Sequence, residues 1–129
     1  MTTTTPIRQD PGCAIERTNG RLRVAVGPAL ADEIQACYRA VANECLTGVC
    51  HQVLVIGNAK LDAFSHLALR DVLRAMALAG VPDSFRMAVV ADTANLIAVY
   101  DTAVVEGGRL NINVRRFMTE DDAARWLES

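Results

Sequence analysis

The side chains best suited to nucleophilic or metal chemistry are two histidines and four cysteines. Cys45, Cys50 and His51, with Cys37 earlier in the chain, supply the thiolate and imidazole donors that zinc favours. Their spacing does not suit it. No Cys-x-x-Cys pair occurs, and Cys37 and Cys45 fall on the apolar stripe of an expected helix, where cysteine acts as a small hydrophobe. Cys50 with the distant His66 has the residue types of a nucleophile and base. Nothing in the sequence brings them together, and His51, directly after Cys50, is poorly placed for the task. No Gly-x-Ser-x-Gly elbow, Walker loop or Gly-x-Gly-x-x-Gly fingerprint occurs. The expectation is no catalytic set, no metal and no cofactor. An enzyme reading rests only on scattered His, Cys and Asp residues and is the weakest of those considered.

Polar sites are expected in two places. Ser65 and His66 open an expected helix, whose unpaired N–H groups and dipole attract anions, making it a phosphate or carboxylate site or a point for docking a partner. The plainer role is a cap and an exposed first-turn residue. Ligands of open α/β sheets also gather beyond the carboxyl ends of parallel strands. Those ends carry Asn58, Lys60 and Asp62 after one strand, Asp92, Thr93 and Asn95 after the next, and Met118-Thr119 after the last. Lys60 and Asp92 are the strong charges at the central mouths. The acidic cluster of a receiver-type phosphoacceptor is absent after the first parallel strand. Asp32-Glu33 and Glu120-Asp121-Asp122 stand at helix starts, where the dipole accounts for them.

The elements that would position these residues follow from periodicity. Ala14–Thr18 and Arg21–Val26 alternate around Asn19-Gly20, the strongest short hairpin signal. Residues 30–46 repeat apolar positions at helical spacing. Gln52–Ile56 and the run from Met87 to Ala91 read as buried strands, Ser65–Ala79 as a helix ended by Gly80-Val81-Pro82, and Leu110–Phe117 as a last strand. A third helix is expected over Thr93–Glu106, closed by Gly107-Gly108. Its Leu96, Val99, Tyr100 and Val104 cannot all face one sheet at 100° per residue, so a homodimer or other partner interface is expected there. Thr119 and Asp122 form a shortened capping box for a C-terminal helix. The order ββαβαβαβα predicts an α/β fold: a mostly parallel five-stranded sheet with an antiparallel edge strand from the hairpin, and four helices.

Length and composition bound the class. The chain has 129 residues, half of them hydrophobic, enough for one domain over residues 12–129. Residues 1–11, Thr-rich with Pro6 and Pro11, read as a disordered leader. A net charge of −2 argues against nucleic acid and against a polybasic membrane module. No apolar run is long enough to span a bilayer, and no signal-peptide core occurs. The expected location is the cytoplasm, and the expected state of the cysteines is reduced.

Three segments carry a family resemblance: the hairpin followed by a helix, Val53-Leu54-Val55-Ile56 leading to Phe64-Ser65-His66-Leu67, and Val114-Arg115-Arg116-Phe117 leading through Thr119 to Trp126-Leu127. Together they resemble the SpoIIAA-like branch of the STAS domains, relatives of the anti-sigma-factor antagonists, from about Ala14 to Glu128. The resemblance implies a STAS-like fold and a non-catalytic regulatory or protein-interaction role. The antagonists' phosphorylated Asp-Ser-Ser-Gly-Leu motif falls on Ala63-Phe64-Ser65-His66-Leu67, where Phe64 replaces the phosphorylated Ser and Ala63 the Asp. The phospho-switch is therefore not carried over. The fold is also likened to lipid-binding Sec14-type domains, so the alternative expectation is a carrier of a small apolar ligand.

Overall fold

Leu22, Val24 and Val26 alternate with Arg21, Arg23 and Ala25, so this segment must bury one side and leave the other near water. The same alternation recurs along the chain, and in the computed structural model it builds one mixed sheet. The structure describes residues 4–10, 12–18, 20–26, 31–47, 50–57, 65–82 and 84–129, with the backbone alone at 31, 32, 65–68 and 95. The elements run β1 (Thr4–Asp10), β2 (Cys13–Thr18), β3 (Arg21–Val26), α1 (Ala31–Leu46), β4 (Gln52–Ile56), α2 (Ser65–Ala79), β5 (Arg86–Val90), α3 (Ala94–Arg109), β6 (Asn113–Phe117) and α4 (Glu120–Glu128).

Among the described residues the sheet has six strands in the order β1-β2-β3-β4-β5-β6. The first three pair antiparallel, and β3 to β6 pair parallel. The α/β class matches expectation; the strand count does not. The additional strand is β1, drawn from the segment expected to be a disordered leader. It has no apolar alternation to announce it, because its backbone pairs with β2 from Thr4↔Thr18 to Asp10↔Cys13. The register shifts between Pro6 and Arg8. A bulge on an edge strand is where a residue without an N–H is tolerated. Ile7 packs against the core.

Two apolar layers flank the sheet. Val24, Val53, Val55, Met87 and Val89 point into the larger one with Ile34, Tyr38, Leu69, Leu73, Met76, Leu96 and Tyr100 from α1, α2 and α3. Leu54 and Ala88 point the opposite way and meet Ala123 and Leu127 of α4. Polar contacts hold this short helix. Arg86 donates to the Trp126 carbonyl at 2.8 Å and Gln52 Nε2 to the Leu127 carbonyl at 2.7 Å, satisfying terminal carbonyls that a helix leaves open. At its other end Arg23 Nε lies 2.7 Å from Glu120, and the Thr119 hydroxyl accepts from the Asp122 N–H at 3.2 Å, the expected cap.

Gly107-Gly108 does not close α3, which runs on to Arg109; the turn comes at Leu110 and Asn111, the latter with φ 59°. Gly107 is instead a close-packing position. A Cβ there would lie 2.7 Å from Val114 Cγ2 and 2.9 Å from the Ile112 carbonyl oxygen, whereas one on Gly108 would meet nothing within 4 Å. Gly107→Ala is therefore expected to lower stability by about 1–3 kcal/mol despite the better helix former. Gly108→Ala is expected to raise it by roughly 0.5–1 kcal/mol. Urea midpoints moving in the same direction for both variants would contradict the assignment.

Candidate functional site

The carboxyl ends of β4, β5 and β6 are drawn together by the ladder itself. Gly57 N–H donates to the Val90 carbonyl at 3.3 Å, and Ala91 N–H to the Phe117 carbonyl at 2.9 Å. Tyr100 floors the β4 exit: a Cβ on Gly57 would stand 2.6 Å from Tyr100 Cε2. Beneath it the Tyr38 and Tyr100 hydroxyls meet at 3.2 Å, both buried. Burial pushes the Tyr100 phenol up to about 12 and Tyr38 well above its usual value of 10.0, so both stay protonated at neutral pH and neither can act as a base.

Since α1, α2 and α3 share one face and α4 takes the other, exits from neighbouring strands part company only between β5 and β6. That is where a doubly wound sheet opens a crevice. Asp92, Thr93, Met118 and Thr119 stand there. The Thr119 hydroxyl is occupied by its cap, while Thr93, at the start of α3, makes no side-chain cap bond. Thr93 Oγ1 is buried with no hydrogen-bond partner among the described residues. Of the expected mouth residues, Asn58, Lys60 and Asp62 lie outside the described residues. Asn95, Ser65 and His66 are placed by backbone only, near the starts of α3 and α2.

The expected interface residues divide. Leu96 and Tyr100 are buried in the main core and so stand behind, not on, the outer surface; Val99 and Val104 are partly buried against that core. Among the described residues, the large apolar side chains that face outward are Leu78 of α2, 92% exposed, and Val105 of α3, 66% exposed, together with Met118 before α4 and Leu46 at the end of α1. Neither Leu78 nor Val105 was singled out from the sequence. Leu78 follows Leu69, Leu73 and Met76 at spacings that rotate it to the far side of α2, which a helical wheel would have shown.

The same two helices, α2 and α3, carry an arginine cluster. Glu106 of α3, 6% exposed, accepts from Arg74 Nε of α2 at 2.9 Å and from Arg109 at 3.2 Å. The hydrogen bond from Arg74 chiefly, with the nearby charges of Arg74, Arg109 and Arg70, holds the Glu106 carboxyl below its usual 4.5 against the opposing effect of burial. Arg70, one turn before Arg74 on α2, has its Nε buried with no acceptor among the described residues.

The cysteines overturn one expectation. Cys13 of β2 and Cys37 of α1 form a disulfide, whereas Cys45 and Cys50 are free and buried. The pairing is tertiary, between residues 24 apart in sequence, which spacing alone cannot show. Burial raises the Cys45 thiol to about 12 and also raises Cys50, so neither is an activated nucleophile. Among the described residues no group of three or more His, Cys, Asp or Glu side chains is arranged to hold a metal ion. No described helix is long and apolar enough to cross a membrane. Two open clefts are found among the described residues, one at the amino ends of β3 and β4 and one beside the carboxyl end of β3. The first, of about 210 Å³, is lined by Thr18, Arg21, Gln52 and Glu128, and the second, of about 260 Å³, by Arg8, Asp10, Gly12, Cys13 and Glu33.

Compared with protein-family models, with curated proteins and with solved structures, the chain matches none.

Two outcomes are expected. Reducing Cys13–Cys37 frees a loop whose ends are 24 residues apart and should lower stability by about 3 kcal/mol, read as a shift of the urea midpoint with and without reductant. Glu106 contributes stability that is complete above the usual carboxyl value of 4.5 and is lost as pH falls through its lower folded value. Glu106→Gln should therefore be less stable at neutral pH and show a flatter acid limb than the parent. Parallel pH–stability curves would refute that role.

Proposed function

We propose that this chain is a non-catalytic regulatory module that works by binding another protein, of the kind the SpoIIAA-like STAS domains represent, through the outer face of α2 and α3. The observation that carries the reading is the exposure of Leu78 and Val105, 92% and 66%, on neighbouring helices whose Leu69, Leu73, Met76, Leu96 and Tyr100 are buried. Exposed large apolar side chains with charged neighbours mark interaction surfaces. The sequential β-α order from β3 to α4 supports it too, since it sets three helices side by side in one layer. The raised Tyr and Cys groups and the ion-paired Glu106 support a binding role over catalysis.

The reading sets the module in the cytoplasm. There the Cys13–Cys37 bond would face a reducing pool, and its burial shields it from thiolate attack. The phospho-switch of the antagonists forms no part of the reading.

Native mass spectrometry on the protein isolated from its own source cells tests this. A discrete mass for a complex with a second polypeptide, or for a homodimer, is the expected result. A monomer with a small added mass that leaves on denaturation would turn the reading to a carrier, and a bare monomer would overturn it. The denatured mass also shows whether the disulfide's two hydrogens are missing. Leu78→Glu with Val105→Glu should abolish the complex while changing stability by no more than about 0.5 kcal/mol, as exposed substitutions do.

A further inference from the structure

Glu106 has two carboxylate oxygens, and both are taken: Oε1 by Arg74 and Oε2 by Arg109. Arg70 also lies near enough to bias the Glu106 carboxyl downward, yet makes no ion pair with a described residue. Three guanidinium groups thus gather about one carboxylate, leaving local positive charge unbalanced on a chain whose net charge is −2. The imbalance has a specific defect at its centre. A buried guanidinium N–H without an acceptor has lost water and gained nothing in exchange, so the Arg70 charge is left without compensation. Glu106 cannot swing to supply it without releasing Arg74 or Arg109. The nearest acid on the same helix, Asp71, is exposed. Position 71 lies 100° further round α2 from Arg70.

We propose that this face receives an acidic segment of the partner protein, whose carboxylates meet the cluster of Arg70, Arg74 and Arg109, the last two with side chains 47% and 70% exposed, while apolar side chains of the same segment cover Leu78 and Val105. The inference rests on the interaction reading above and adds the partner's chemistry. Arg70, Arg74 and Leu78 are spaced four residues apart along α2, so the strip runs about 12 Å, within reach of two or three turns of a partner helix. Carboxylates bind guanidinium groups more strongly than neutral acceptors do, and such pairs weaken with salt when they lie near the surface. The surface therefore selects for acid alternating with apolar residues, and against basic segments, which would meet three arginines.

The test uses the full chain and a synthetic helical peptide, capped at both ends, in which Glu and Leu alternate at helical spacing. Its control has Gln in place of every Glu. Arginine Nε–H and methyl resonances are followed by NMR during titration. The Glu peptide should shift the Arg70 Nε–H signal saturably, together with the Leu78 and Val105 methyl signals. Binding should be at least about tenfold weaker for the Gln peptide and for Arg70→Gln, the loss expected for one charge-assisted hydrogen bond. Arg23→Gln, on the opposite face of the sheet, should bind as the parent does. No shift at Arg70, or equal binding of the two peptides, would overturn the proposal, and this comparison needs no variant to fold. If the complex isolated from source cells persists with Arg70→Gln, the interaction reading stands and the acidic docking site falls.

Discussion

The parallel register of β3 to β6 governs the rest of the molecule. Each strand is laid beside the one before it, so each returning helix must lie on the same face as the last. Three helices form one layer, and the inner sheet face carries Val53, Val55, Met87 and Val89 to meet them. That arrangement leaves the other face of the central strands uncovered, where Leu54 and Ala88 would meet water. The C-terminal helix α4 resolves this with only nine residues. So short a helix is marginal alone, which explains why the sheet grips it at both ends through Arg23, Gln52 and Arg86, the last also lying 5.4 Å from the Trp126 ring centre.

The same constraint sets the ionisation of three side chains. Tyr100, Tyr38 and Cys45 are carried into the helical layer and lose the hydration that would let them ionise. Arg116 bonds Asp101 at 2.7 Å and ties β6 to α3. What remains outward is the back of α2 and α3. There Glu106 bridges the two helices through Arg74.

The glycines and the disulfide show how closely the layer is fitted. Gly57 lets the β4 exit pass over Tyr100, and Gly107 lets α3 approach β6. Cys13–Cys37 ties α1 to β2 at the side of the sheet away from α4. The Gly57 contact and the disulfide join segments distant in sequence, so both depend on the sheet order already being in place.

The sequence by itself determined the class and the element pattern. Period-two alternation in Arg21–Val26, continuous apolar runs in β4 and β5, and helical spacing in α1 and α2 are local signals, and local signals survive without a fold. The Thr119 cap was legible for the same reason. Tertiary structure decided what no local pattern encodes. It made a strand of Thr4–Asp10, which rests on backbone pairing with β2 and, of its apolar side chains, on Ile7. It carried α3 through Gly107-Gly108, because the space beside Val114 admits only hydrogen there. It buried Leu96 and Tyr100, which an excess of apolar positions had suggested for an interface, and turned Leu78 and Val105 outward instead. It joined Cys13 to Cys37. And it placed Arg70, Arg74 and Arg109 around a single carboxylate, since side chains from two helices meet only once the sheet has set those helices side by side.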